Sequence, residues 1–213
     1  MNGIKAIFFD FDGVILESVD IKGWAFGKLF DIFPKHVTKI INYHHANGGI
    51  SRFEKFRYIY KNILKKHLSK QQFQQLCKNF EALIFEKILE CDFVPGAQEF
   101  LERQYQHRLL FVISSTPDKE IQKIVQEKGL GKYFKGVYGS PITKDKWIKI
   151  ILNDWNLESG NTLFVGDSIS DYYATLNSDI RFIGRISNCD KHPFMKFKID
   201  RVIVNLKELE QLL

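Results

Sequence analysis

The most restrictive feature of this 213-residue chain is a short run rich in Ile and Phe, Lys5 to Phe9, that ends abruptly in Asp10-Phe11-Asp12-Gly13. A run of this length bounded by Asp-Gly predicts a buried strand that ends in a turn. Such a strand has no stable partner in its own neighbourhood, so it must enter a sheet built from later segments. Those segments lie far downstream. From Leu109 onward, short apolar strands alternate with helices: strand Leu109–Ile113, a helix from Pro117 to about Lys128, a strand near Gly136–Tyr138, helix Lys146–Trp155, strand Thr162–Val165, helix Ile169–Asn177, strands Arg181–Ile183 and Val202–Val204, and a terminal helix. Alternation at this spacing predicts an α/β fold, a parallel sheet with helices on both faces.

Between the first strand and the rest lies a block of different texture, roughly Glu17 to Glu90, with helical periodicity and two capping-box starts, Ser51-x-x-Glu54 and Ser69-x-x-Gln72. Pro34 and Gly48-Gly49 break it into about four helices, and Asp92 to Gly96 links it back. The expected organisation is therefore a core of residues 1–16 and 92–213 with an all-helical domain of residues 17–91 inserted into it. Hydrophobic residues make up 45% of the chain, including nineteen Phe, which rules out a coreless, disordered chain.

No segment approaches the roughly 18 uninterrupted apolar residues of a membrane span, and the apolar start runs straight into Asp10 and Asp12, unlike a secretory leader. A cytoplasmic protein is expected. Cys77, Cys91 and Cys189 are far apart and form no C-x-x-C pair, as for free thiols in a reducing compartment. The 31 Lys and Arg against 25 Asp and Glu give a net charge of +6, which favours anionic partners. The basic residues are scattered. The one dense stretch, Lys61, Lys65, Lys66, His67 and Lys70, is expected to be the solvated face of a helix rather than a nucleic-acid site.

In open parallel sheets ligands bind at the carboxyl ends of the strands. Asp10 and Asp12 follow the first strand, Ser114, Ser115 and Thr116 follow the second, and Gly166-Asp167-Ser168 with Asp171 follow the strand at Thr162–Val165. Lys144 lies beyond the strand near Tyr138, ahead of the next helix. Each close carboxylate pair at such an edge costs on the order of 4 kcal/mol at 4 Å and an effective dielectric near 20. A hard divalent cation is the natural remedy, and Mg²⁺ with waters and a substrate phosphate suits the ligand set. It would also offset the repulsion between a carboxylate and the phosphoryl group it attacks. One carboxylate can then be a nucleophile, and a second can protonate the leaving oxygen and deprotonate water. Ser114, with Thr116 as helix cap and Pro117 at the first helical position, can donate to phosphate, and Lys144 supplies fixed positive charge.

In order along the chain, Asp10-Phe11-Asp12-Gly13-Val14, Ser114, Lys144 and Gly166-Asp167-Ser168 with Asp171 resemble the four signature motifs of the haloacid dehalogenase superfamily, and the match spans essentially the whole chain. The resemblance implies a Rossmann-like core, and the helical insertion resembles the cap of the phosphoglycolate phosphatase and β-phosphoglucomutase branch. It implies Asp10 as nucleophile and metal ligand, and Asp12 as acid/base that also offers a carbonyl to the metal. Asp167 is a ligand by the same resemblance, and Asp171 supports the metal's waters or Lys144. The second motif reads Ser114-Ser115 where many relatives have Asn second. The lysine stands in Thr143-Lys144-Asp145-Lys146, with Lys146 the second choice.

Gly13, Ser114, Ser115 and Lys144 are expected around the phosphate, and Arg52 and Lys55, following the Gly48-Gly49 loop, are candidate substrate readers. His44-His45 lacks metal-ligand spacing and is expected to be structural or exposed; Tyr172-Tyr173 is expected in the core. The expected partner is a small phosphorylated metabolite, with no membrane, no nucleic acid, and a monomer or weak homodimer. Hydrolysis of a phosphomonoester leads, a phosphomutase uses the same core residues, and a non-catalytic phosphate-binding regulator has no need of the Asp12 carboxylate.

Overall fold

The computed structural model describes residues 3–187 and 192–213. Its sheet has six parallel strands in the order β3-β2-β1-β4-β5-β6. The strands are β1 (Ala6–Phe9), β2 (Leu109–Pro117), β3 (Gly136–Ser140), β4 (Thr162–Gly166), β5 (Arg181–Arg185) and β6 (Arg201–Ile203). The first strand is central, with Phe9 in register with Val112 on one side and Val165 on the other. Its residues alternate between two cores, as the period-2 geometry of a strand requires. Ile7 and Phe9 face one layer, and Ala6 and Phe8 the other. All four are fully buried, which is why the run is apolar without alternation.

Helices α5 (Ala97–Gln104), α6 (Asp118–Glu127) and α9 (Leu206–Leu212) bury Phe100, Ile121, Ile124, Leu206 and Leu209 against the Ile7 side. On the other face, α7 (Lys144–Asp154) and α8 (Ile169–Leu176) contribute Ile148, Ile151 and Ala174. Between β1 and β2, four helices precede α5: α1 (Val19–Leu29), α2 (Val37–Ala46), α3 (Arg52–Tyr58) and α4 (Lys70–Glu90). Phe26 is their hub, with ring centroids 5.7 Å from Phe56 and 4.9 Å from Phe80. Full burial of each such side chain is worth about 1.5–3 kcal/mol.

Several local expectations are corrected. Helix α5 has no counterpart among the sequence-predicted elements; it starts straight after Gly96, which adopts φ +80° at its N-cap and reads in the sequence as linker. The stretch at Lys61 to Lys70 is not one helical face. A π-helical turn, Ile59–Ile63, ends α3, and exposed Lys65, Lys66 and His67 occupy the loop before α4, with Lys65 at φ +54°. Thr116 does not cap α6. β2 runs on to Pro117, which pairs with Ser140, and the residue before a proline favours extended backbone. Tyr172 is half-buried and packs on Phe182 at 5.7 Å, but Tyr173 is 54% exposed. Cys77 and Cys91 are half-buried free thiols, whereas Cys189 lies outside the described residues. Among the described residues no helix is long and apolar enough to cross a membrane.

Candidate active site

The turn after β1 is fixed from several directions. Asp10 N–H continues the sheet by donating to Val165 carbonyl at 2.9 Å, and Phe11 N–H donates to Asp10 Oδ1 at 2.7 Å. Gly13 adopts φ +73°, and a Cβ there would stand 2.5 Å from Asp167 Oδ2, so no side chain fits where the two acidic loops meet. From the end of β5, Arg185 donates to Gly13 carbonyl at 3.1 Å and forks onto Glu17 at 2.9 and 2.5 Å.

Three carboxylates from two strand ends converge: Asp10, Asp167 and Asp171 each offer an oxygen within 4.8 Å of the others. Lys144, the first residue of α7, places its Nζ 2.7 Å from Asp10 Oδ2 and 2.6 Å from Asp171 Oδ1. Lys146, the second choice, is exposed. Asp171 is fully engaged, since its Oδ2 accepts from Ser168 N–H at 3.1 Å and Oγ–H at 2.7 Å in the capping box of α8. Its position thus supports Lys144, and Asp10 and Asp167 remain as the side chains that could hold a cation.

Burial pushes Asp10 up to about 7 against the pull of Lys144, with repulsion from Asp171 and Asp12 adding to it. Asp167 rises well above the usual carboxylate value through burial and the Asp10 and Asp171 charges. For Lys144 the attraction of Asp10 and Asp171 outweighs burial and holds it above the ordinary lysine value. One ammonium does not balance this many carboxylates.

Asp12 points into a different niche. Its Oδ1 accepts from Ser18 Oγ–H at 2.5 Å, and its Oδ2 accepts from Lys22 Nζ and from Thr116 Oγ1–H at 3.2 Å. Burial alone would raise its pKa, but Lys22 and these hydrogen bonds hold it below the ordinary value. Ser114 is buried and its Oγ accepts from Thr116 N–H at 3.1 Å. Ser115 donates to Gly49 carbonyl, and Ser170 Oγ–H donates to Gly48 carbonyl at 3.1 Å, so the double-glycine loop rests directly on the sheet edge. Gly49, at φ +74°, meets the Ser168 and Ser170 hydroxyls and has no room for a Cβ.

A cavity of about 310 Å³ lies between the helical insertion and this edge, lined by Asp10, Asp12 and Asp167 from below and by Lys22, Arg52 and Lys55 from above. Arg52, expected as a substrate reader, lines it but donates from both terminal nitrogens to Glu120 of α6, at 2.9 and 2.5 Å. Lys55 also lines it, with Nζ 3.0 Å from His44 Nδ1. His44 is buried and stacked on Phe26 at 4.5 Å, whereas His45 is exposed.

Four neighbours escaped the sequence: Ser18, Lys22, Glu120 and Arg185. Ser18 and Lys22 stand one helical turn apart and meet Asp12 together, a spacing visible in the sequence but without meaning until the insertion folds back. The i,i+3 spacing of Ser168 and Asp171 was a legible signal for the capping box.

Residues 7–185 match the family model of haloacid dehalogenase-like hydrolases. The phosphoglycolate phosphatase of Vibrio parahaemolyticus is 24% identical over 192 residues, covering 85% of this chain and 83% of that protein. Among solved structures, a protein from Haemophilus somnus described as a predicted phosphoglycolate phosphatase superposes with a TM-score of 0.80 at 19% identity, covering 100% of this chain and 99% of its own. A Bacillus subtilis haloacid dehalogenase-type hydrolase solved with bound magnesium gives a TM-score of 0.72 at 18% identity, covering 98% and 97%.

Proposed function

The chain belongs to the haloacid dehalogenase-like hydrolases and is a phosphatase of that family, and on that premise we propose that it hydrolyses a small phosphomonoester through an aspartyl-phosphate with the help of Mg²⁺. The observation that carries this reading is the division of labour at one cavity. Asp10 and Asp167 converge with Lys144, while Asp12, two residues on, is held apart in its own hydrogen-bonded niche. The donor set suits a hard cation, because it consists of carboxylate oxygens in charge excess. Asp10 and Asp167, with the carbonyl of Asp12, would hold Mg²⁺, which when bound neutralises charge on the phosphoryl group.

Asp10 Oδ attacks phosphorus, and the bond from phosphorus to the substrate's ester oxygen breaks. The Asp12 carboxyl gives its proton to that leaving oxygen. A water then adds to phosphorus, Asp12 takes the water's proton, and the bond to Asp10 breaks to free orthophosphate. In the arrangement described, Lys22 keeps Asp12 ionised, the form needed for the water step, so the proton that Asp12 gives to the leaving oxygen enters with the monoanionic phosphate of the substrate. Lys144 and the Ser114 hydroxyl, which line the adjoining cavity, would face the phosphoryl oxygens from that side, and residues 17–91 would close the site as a cap. A volume near 310 Å³ suits a short metabolite of the cytoplasm, and phosphoglycolate is the first compound to try, from the relatives' names.

Orthophosphate release from a panel of phosphomonoesters, with and without Mg²⁺, tests the proposal. Metal-dependent release that collapses in Asp10→Asn is expected. Release that survives Asp10→Asn overturns the mechanism, and transfer of phosphate to a second substrate position without orthophosphate marks a mutase.

A further inference from the structure

Of the three cations that the insertion presents to the cavity, two are already committed. Lys22 pairs with Asp12, and Arg52 forks onto Glu120. Lys55 differs from both. It is 3% exposed, and among the described residues no carboxylate lies within ion-pair distance of it. Its Nζ meets His44 Nδ1 at 3.0 Å and His44 carbonyl at 3.4 Å. An ammonium only donates, so Nδ1 accepts and the imidazole is neutral, consistent with burial and the Lys55 charge pushing His44 down to about 2.

The imidazole therefore solvates the ammonium without neutralising it. The Phe26 ring, 5.8 Å from Nζ, adds a cation–π contact at the outer edge of its range but carries no counter-charge. Burial and the charge of Lys22 pull Lys55 down to about 7, while Asp167 and Asp12 oppose them. A buried ammonium without a counter-charge is costly, and a lysine that only filled space would be better replaced by an apolar side chain. The group is shaped for an anion that arrives from outside.

We propose that Lys55 is the specificity-determining residue of this site and receives a carboxylate at the end of the substrate opposite the phosphate, with His44 as the positioning residue that aims Nζ into the cavity. This rests on the phosphatase reading above. A carboxylate that docks against Nζ holds Lys55 protonated, and one ammonium then matches one negative charge. A second phosphate, as a dianion, asks for further donors, and Arg52 and Lys22 are occupied by Glu120 and Asp12. The substrate is then a short phosphorylated carboxylic acid, and an equally short phosphorylated alcohol is a poor one.

The test compares matched pairs, phosphoglycolate against 2-hydroxyethyl phosphate and 3-phosphoglycerate against glycerol 3-phosphate, with ethane-1,2-diol bisphosphate as the phosphate-ended arm. Wild type, Lys55→Met and Lys55→Arg are assayed for kcat and KM, with melting curves to establish that each variant folds. In Lys55→Met the carboxylate-over-hydroxyl ratio of kcat/KM falls about 10- to 100-fold, the worth of one charge-assisted hydrogen bond, and the loss lies mainly in KM. Lys55→Arg recovers part of it. Equal losses on both members of a pair mark a merely structural lysine and overturn the proposal, as does a wild type without preference or one that favours the bisphosphate. Absence of orthophosphate from every compound would instead overturn the phosphatase reading. Dissociation constants for phosphoglycolate and 2-hydroxyethyl phosphate, measured by calorimetry on wild type and Lys55→Met, then still decide whether Lys55 reads the carboxylate.

Discussion

The sheet edge and the helical insertion above it are built on opposite charge. The edge gathers acids whose own lysine cannot balance them, and the insertion supplies cations of which two reach down to pair with acids of the core. The acids that the insertion neutralises, Asp12 and Glu120, are not those that converge on Lys144. The difference teaches where the recognition burden falls under the proposed mechanism: the edge would take metal and phosphate, and the insertion, which docks through Lys22 and Arg52, would present Lys55.

The comparison breaks most sharply at the edge. Asp10→Asn is expected to reduce phosphate release by at least ~10⁴-fold, because the proposed mechanism has no substitute for the Asp10 carboxylate as nucleophile. Asp12→Asn is expected to lose about 10²- to 10⁴-fold in kcat, with Mg²⁺ affinity by calorimetry little changed, because its side chain faces Ser18, Lys22 and Thr116 rather than the acidic cluster. Equal damage to metal binding would show that the two niches are one.

At the contact between insertion and core, Glu120→Ala strands a buried guanidinium and is expected to lower unfolding stability by about 3–5 kcal/mol in a denaturant titration. The double variant Arg52→Met, Glu120→Leu is expected to recover most of that loss, since it leaves no uncompensated charge. A double variant as unstable as the single one would mean that the pair contributes more than mutual neutralisation.

The smallest effect concerns Lys55. Its folded-state pKa of about 7 lies below the unfolded value of 10.5, so between those values the unfolded chain binds more protons and stability rises with pH. Melting curves of wild type are therefore expected to gain on those of Lys55→Met by a few degrees from pH 7 to pH 9. A constant difference across that range would show that Lys55 is not held unpaired in the fold.

The layered sheet was legible because each strand is a compact apolar run followed at once by polar residues, and β1, β2 and β4 all follow that rule. That the first strand joins the downstream sheet followed from its lack of any local partner; its central place shows only in the fold. The edge residues could be read for the same reason, since strand ends place Asp10, Ser114 and Asp167 together whatever the loops do. What stayed hidden depends on contacts across long sequence gaps. Lys22 meets Thr116 over 94 residues and Arg52 meets Glu120 over 68, and no local pattern encodes either pair. Arg52 and Lys55 both read as candidate substrate readers, and nothing local separates them, because the partner of Arg52 lies on another element and the isolation of Lys55 shows only once the neighbouring acids are seen to be taken. Thr116 was misread for a local reason, since Thr-Pro before a helix suits a cap, but pairing with β3 keeps the strand extended.

The most direct test of the central claim is acid-quenched turnover with Mg²⁺ and a hydrolysable phosphomonoester, followed by peptide mass spectrometry. A phosphoryl group on Asp10, absent without Mg²⁺ and absent in Asp10→Asn, is the predicted result. Steady turnover with no phosphorylated peptide at any quench time, or with the phosphoryl group on a residue other than Asp10, would contradict the account.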